Sequence, residues 1–448
     1  MQRLKVKQIL SSQSAGAEIK AAGWVRSVRN SPQVAFIDLT DGSSMAGLQV
    51  VIDPQTEGFS LLNEVHTGCS VAVEGKLVDS PGQGQKFELK ASRLALLGAA
   101  DPETYPIQKK KHTLEFLRTK AHLRVRTNTY AAVFRMRSHL SQGIHSFFRD
   151  KGFFYIHAPI ITTSDCEGAG QMFQVSAPGD KEFFGKPAYL TVSGQLEAEL
   201  LALGLSEVYT FGPTFRAENS NTPRHLSEFW MVEPEMVFYD LQDNMDLAEE
   251  FLKALLVYML EHDREDLEFM ERWYQKGLLA QLEGIIGKPF ERLSYTEAIG
   301  MLKASGKSFE FPVDWGCDIQ TEHERYLSEE KIGAPVIIHD YPASIKPFYM
   351  RLNDDGKTVG AMDVLLPRIG EIIGGSQREE RLDVLTRRIR LLGLSEENYS
   401  WYLDTRRFGT AIHSGFGMGL ERTLLFLSGM ANIRDVIPFP RTPGNAEF

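Results

Sequence analysis

Cysteine is scarce: Cys69, Cys166 and Cys317 are the only three in 448 residues, far apart and with no CxxC pair. That excludes a disulfide framework or a structural zinc, and it predicts a protein of a reducing compartment, the cytoplasm. Long apolar runs are also missing, and the charged start MQRLKVKQIL lacks the apolar stretch of a signal peptide. A soluble chain with no membrane partner is expected. Neither GxxxxGK(S/T) nor GxGxxG after a strand occurs, so the two commonest glycine-rich nucleotide cradles are absent. Any nucleotide site must be built from arginines and a sheet.

What is present is a chain that is 43% hydrophobic, enough for a large core and two or three domains. Its net charge of -10 is unevenly spread: residues 1–127 hold 17 Lys+Arg against 12 Asp+Glu, and the remainder holds 32 against 47. A basic module precedes an acidic body, a pattern suited to a polyanion-binding appendage on an enzyme. The first hundred residues alternate in short runs, AAGWVRSVRN, VAFIDLTDG, MAGLQVVID, CSVAVEGKLVDSPGQGQ and KFELKASRLALLG. Five strands of this kind predict a small barrel of the oligonucleotide-binding type. Phe36 and Gln49 are candidates to stack and bond bases on its outer face, with Arg26 and Arg29 supplying charge.

Residues 101–130, rich in lysine and arginine, read as a hinge that becomes helical. In RMRSHLSQGIHSFF, Met136, Leu140, Ile144 and Phe147 recur at helical spacing. GFFYIHAPII reads as an apolar strand ended by Pro159. A long amphipathic segment, LQDNMDLAEEFLKALLVYML, follows further on, then strand-like runs PVIIHDY, FYMRLN, TVGAMDVLL and GEIIGG, then GFGMGLERTLLFLSG as a glycine-spaced helix. Helices interspersed with hairpin-like strands predict an α+β fold with an antiparallel sheet.

The stretch FRAENSNTPRHLSEF, residues 215–229, is polar yet bracketed by phenylalanines. TFGPTFRAE and SEFWMVEPEM read as two strands of a long hairpin, which places Arg216 and Glu218 on one strand face, with Phe229 and Met231 on the returning strand. An arginine on a rigid strand can hold a phosphate or carboxylate bidentately, a glutamate can accept from an amine, and an aromatic ring can stack a purine. Read alone, the same residues also fit a surface Arg–Glu pair beside a core ring. Arg422 in GFGMGLER offers a second arginine, and Glu371 offers a carboxylate for magnesium, with Asp363 as a further candidate.

GFFYIHAPII, FRAENSNTPRHLSEF and GFGMGLERTLLFLSG, in this order, resemble the three signature motifs of the class II aminoacyl-tRNA synthetases, of the subgroup with an N-terminal oligonucleotide-binding barrel. The resemblance runs from GWVRSVRN to the last residues. It implies an anticodon-binding barrel over residues 1–100, a hinge over 101–130 and, over 131–448, a catalytic domain built on an antiparallel sheet flanked by helices. ATP and Mg2+ are implied, with tRNA as partner and a homodimer whose interface includes Pro159. In the barrel, Phe36 and Gln49 resemble positions that stack and read anticodon bases, with Arg26 nearby.

Within the subgroup, SPGQGQKFE, FFGKPAYLTVSGQLEAE, FYMRLNDDGKTVGAMDVL and RDVIPFPRTPGNAEF resemble the asparaginyl branch. Aspartyl relatives carry a lysine where this chain has Ala198, and that lysine would attract a side-chain carboxylate. The resemblance implies that Arg216 bridges the α-phosphate and the α-carboxylate, Glu218 contacts the adenine amine and Phe229 stacks the ring. Arg224 or His225 would meet the outer phosphates, Arg422 would cover the adenine and reach the γ-phosphate, and Glu371 would hold the metal. A second metal ligand, a serine in some relatives, aligns with Gly374. Glu167, Ser193 and Gln195 would hold the ammonium, while Glu233 would accept from the side-chain amide and Arg378 donate to it. Catalysis is thereby assigned to Arg216, Arg422 and His225. The alternatives are an aspartyl enzyme of relaxed specificity, a non-catalytic RNA-binding paralogue that would lack Arg216 or Arg422, and an asparagine-forming paralogue that would lack the barrel.

Overall fold

Alternating burial builds the first unit of this computed structural model, which describes residues 2–448 except 32, 83, 165, 167–171, 181 and the side chain of Ser12. β1 (Glu18–Asn30), β2 (Ala35–Thr40), β3 (Leu48–Ile52), β4 (Ser70–Asp79) and β5 (Phe87–Gly98) close into a barrel in the order β1-β2-β3-β5-β4. Ala35, Ile37 and Leu39 point inward with Leu48, Val50 and Ile52, so the intervening residues face outward. The five strands lie where the alternation predicts them.

The barrel belongs to a unit of Met1–Arg135 with Phe448, and Met136–Glu447 form a second. Residues 101–130 fall in the first unit and contain two short helices, Leu114–Arg118 and Ala121–Arg124. They pack on the barrel through Arg126, whose guanidinium lies 5.5 Å from the Trp24 ring centroid and 5.9 Å from that of Tyr105.

The second unit is built on eight strands: β6 (Phe154–Ile156), β10 (Glu207–Phe215), β11 (Glu228–Val237), β12 (Glu291–Ser294), β13 (Val336–Pro342), β14 (Thr358–Leu366), β15 (Gly370–Gln377) and β16 (His413–Gly419). Their order is β12-β13-β14-β15-β16-β11-β10-β6. The interior pairings are antiparallel and the pairings at the two edges, β12 with β13 and β6 with β10, are parallel. β7 (Ile161–Thr162), β8 (Gln174–Val175) and β9 (Ala188–Leu190) form a separate small sheet. The long helix Leu241–His262 starts at Asp240, whose carboxylate accepts from the N–H groups of Gln242 and Asp243, a cap worth about 1 kcal/mol. Its apolar stripe, including Ala248, Phe251 and Leu255, packs beneath β14–β16.

Three sequence expectations need correction. The glycines of GFGMG lie in β16, and the helix begins only at Leu420. Glycine is poor in a helix, and here a Cβ on Gly415 would collide with the Glu235 carboxylate. FYMRLN is not a strand: it contributes isolated bridges, Met350 with Arg378 and Leu352 with Val359, because the Leu352 N–H is taken by the Glu379 side chain at 2.9 Å. Arg216 and Glu218 lie just past the end of β10 and not within it, although the Arg216 N–H still donates to Ser227 O at 3.0 Å and so extends the ladder by one bond.

Candidate active site

The β10–β11 hairpin and β15–β16 form the floor of a two-lobed cleft. β11 alternates, so Phe229, Met231, Glu233 and Glu235 share its cleft face in a row. The first lobe is lined by Arg216, Glu218, Arg224, His225, Phe229, Glu371 and Arg422, which the sequence expectation had assigned to one nucleotide site. The Arg216 guanidinium sits 5.4 Å from the Phe229 ring centroid. Arg422 donates to Glu371 O at 2.9 Å and approaches Glu371 Oε2 at 3.4 Å. His225 Nδ1 is bonded to the Thr222 hydroxyl, which steadies the loop between the strands.

The second lobe is lined by Ser193, Gln195, Glu233, Glu235 and Arg378, and it shares Arg216, Met231, Glu371 and Gly417 with the first. Glu233 accepts from the Ser193 hydroxyl, from the Gly194 N–H at 3.1 Å and from the Thr210 hydroxyl at 3.1 Å. Arg378 is buried and spends its fork on Glu235, through Nε at 3.1 Å and through Nη2, while Nη1 donates to Ser376 Oγ at 2.8 Å. Ala198 is absent from the lobe's lining: it packs with Ala202, Val208 and Val237 in a small apolar cluster behind the helix Gln195–Leu205.

Carboxylates gather between the lobes. Asp363 is paired with Lys346 at 2.8 Å, and both line the second lobe together with Glu371. A Cβ built on Gly374 would stand 3.0 Å from Glu371 Oε1 and 3.5 Å from Asp363 Oδ1, so that glycine leaves open space between both oxygens. Burial, reinforced by the Glu371 charge, pushes the neighbouring Glu324 up to about 7. A carboxyl raised in the folded state favours folding most below its unfolded value and loses that contribution as pH rises through 7. Glu324→Gln is therefore expected to raise Tm at pH 8 but not at pH 5, measured with EDTA present. An identical change in Tm at both values would refute the assignment.

On the barrel, Phe36 and Gln49 project from the outer face, which Arg26 joins at the β-bulge between Val25 and Ser27. Arg29 lies 5.9 Å from the Phe36 ring, and Gln49 Nε2 donates to Glu88 Oε2 at 2.8 Å. Arg26 approaches Asp38 at 3.7 Å. Pro159 is exposed beyond β6, close to exposed Phe154, Tyr155, Ile160 and Ile161. Glu167 lies outside the described residues.

Residues 113–443 match the family described as tRNA synthetases class II (D, K and N), and residues 19–97 match the OB-fold nucleic acid binding domain. The chain belongs to the class II tRNA synthetases. Among similar proteins, the asparagine--tRNA ligase of Oleidesulfovibrio alaskensis is 56% identical over all of both chains, and that of Solibacter usitatus is 59% identical over 98% of each. The crystal structure of asparaginyl-tRNA synthetase from Pyrococcus horikoshii complexed with asparaginyl-adenylate superposes with a TM-score of 0.90 at 31% identity, covering 100% of this chain and 99% of that one.

In this synthetase the sequence reading missed Glu235 as the partner of Arg378, Lys346 as the partner of Asp363, and Glu88 beside Gln49. Glu235 was recoverable, because the spacing of EPE puts it on the same strand face as Glu233. The other two pairings join separate strands or loops and leave no local signal. Among the described residues, no helix is long and apolar enough to cross a membrane, and Cys69 and Cys317 are free thiols.

Proposed function

We propose that the synthetase is an asparagine--tRNA ligase, a reading carried by one observation: two lobes of different chemistry meet at the Arg216 guanidinium. ATP lies in the first lobe, with its adenine between Phe229 and Arg422, its amine at Glu218 and its outer phosphates toward Arg224 and His225. Asparagine lies in the second, its ammonium at Ser193, Gln195 and Glu167 and its amide between Glu233 and Arg378. The α-carboxylate attacks the α-phosphorus and displaces pyrophosphate; a terminal ribose hydroxyl of tRNA then attacks the acyl carbon and releases AMP. Neither step needs a protein nucleophile, so Arg216, Arg422 and His225 act by positioning and by charge stabilisation.

Mg2+ fits the donor set. Glu371 offers a hard oxygen beside the open face at Gly374, and magnesium takes its remaining ligands from water and phosphates. Among the described residues no group of three or more potential ligand side chains forms a cage of its own, so Glu371, with Asp363 behind it, would share the ion with ATP. When bound, the ion neutralises phosphate charge.

Selection of asparagine follows from counting acceptor sites. An ionised carboxylate has about four, and three on Glu233 are filled by protein donors, which leaves about one for the substrate's amide NH2. Aspartate would set a second carboxylate against it. The test is ATP–pyrophosphate exchange with each amino acid, followed by tRNA charging. Exchange with asparagine and not aspartate is expected, and exchange with neither, or with aspartate alone, would overturn the reading. Glu233→Gln is expected to lower the preference for asparagine by on the order of 10²-fold with KM for ATP unchanged; parallel losses would make Glu233 structural.

The remaining assignments belong to the same reading. Residues 1–100 bind the anticodon through Phe36, Gln49 and Arg26, 101–130 act as the hinge and 131–448 as the catalytic domain, in a cytoplasmic homodimer with Pro159 and its exposed apolar neighbours at the interface. Phe36→Ala removes a stacking platform worth about 1–3 kcal/mol. It should raise KM for tRNA while leaving ATP–pyrophosphate exchange untouched. Loss of exchange would place Phe36 in barrel stability instead.

A further inference from the structure

Beneath the second lobe lies a buried carboxylate that lines neither cavity. Glu199 is fully buried, one helical turn after Gln195, and its Oε1 accepts from Gln195 Nε2 at 3.0 Å. Its Oε2 accepts from the Tyr402 hydroxyl at 2.6 Å and from Arg406 Nη2 at 2.8 Å, with His413 Nε2 at 3.2 Å. Arg378 Nε is 3.9 Å from Oε1. Tyr402 and Arg406 come from the helix Ser400–Arg407, His413 opens β16 and Arg378 follows the end of β15, so the carboxylate is fixed from several directions.

An amide side chain has one oxygen and one NH2, and only its surroundings decide which end points where. An ionised carboxylate accepts and never donates. Glu199 therefore forces the NH2 of Gln195 downward, and the other end of the amide, the carbonyl oxygen, is left for the cleft. An ammonium ligand needs an acceptor there. A glutamine or a hydrophobic residue at 199 would leave Gln195 free to turn its NH2 toward the same ammonium, a repulsive arrangement.

We infer that Glu199 is a positioning residue for amino-acid binding: it orients Gln195 so that the carbonyl oxygen meets the substrate's α-ammonium, and it acts without touching the substrate. The inference rests on the asparagine reading of the second lobe. In Glu199→Gln, KM for asparagine in ATP–pyrophosphate exchange rises about tenfold and KM for ATP does not change. Because the effect passes through Gln195, the same substitution made in a Gln195→Ala background raises KM for asparagine by less than about threefold.

Glu199→Asp is the companion variant. It keeps the charge that Arg406 and His413 need but withdraws it from Gln195 by one methylene, and it should raise KM for asparagine in the same direction. An unchanged KM in either soluble variant, a full tenfold effect retained in the Gln195→Ala background, or equal rises in KM for asparagine and ATP would overturn the inference. Wild-type enzyme that fails to exchange with asparagine at all would defeat the underlying functional reading instead, so the two failures are distinguishable.

Discussion

Arg216→Ala is expected to lower kcat/KM for asparagine-dependent ATP–pyrophosphate exchange by about 10²–10³-fold with little loss of Tm. Arg216 stands on the wall common to both lobes, where the proposed function sets its guanidinium between the α-phosphate and the α-carboxylate. Its main chain is pinned by the bond to Ser227 O at 3.0 Å and its guanidinium lies over Phe229, so the fork is held before substrates arrive. Charge that develops on the transferring phosphorus is met by donors that need no reorganisation. Arg216→Lys keeps the charge and loses the fork, and it should recover only a small part of the rate. Exchange within tenfold of wild type in Arg216→Ala would remove the arginine from the chemistry.

The second large effect concerns Arg378. Arg378→Met leaves Glu235 buried without its bidentate partner, and breaking a buried pair in this way costs about 3–5 kcal/mol. Burial already pushes the Glu235 carboxyl up against the pull of Arg378. Without the guanidinium, Glu235 takes up a proton more readily. A carboxyl raised in the folded state stabilises most below its unfolded value and loses that contribution as pH climbs. The Tm deficit of Arg378→Met should therefore be smaller at pH 5.5 than at pH 8, and KM for asparagine should rise far more than KM for ATP. A Tm deficit independent of pH would mean that Glu235 is satisfied by other donors.

Much of the site could be read in the amino-acid order because its residues sit at fixed offsets on short elements. The hairpin around residues 215–229 gave Arg216, Glu218 and Phe229 one cleft, and strand alternation carried the row on to Glu233. The glycine run before Arg422 misled, since spacing alone does not distinguish a helix that needs close approach from a strand lying under a carboxylate. Glu199 and its donors Tyr402, Arg406 and His413 are separated by some 200 residues, and no local pattern announces such a cluster. The ion pair of Asp363 with Lys346 was hidden for the same reason: a loop lysine meets a strand acid only after the sheet has formed.

The single row of Phe229, Met231, Glu233 and Glu235 has a bearing on which genetic changes the chain can absorb. β11 is bonded on one side to β10 and on the other to β16, so its register is fixed twice. One residue inserted within the strand would turn the part of the row beyond it to the opposite face, exchanging Glu233 and Glu235 for their apolar neighbours Val232 and Pro234. Lengthening the connection at its tip, among residues 219–221, leaves both strands paired and costs mainly loop entropy. Insertions and deletions are thus tolerable at the hairpin's tip and ruinous a few residues further on, where successive positions line different parts of the two lobes.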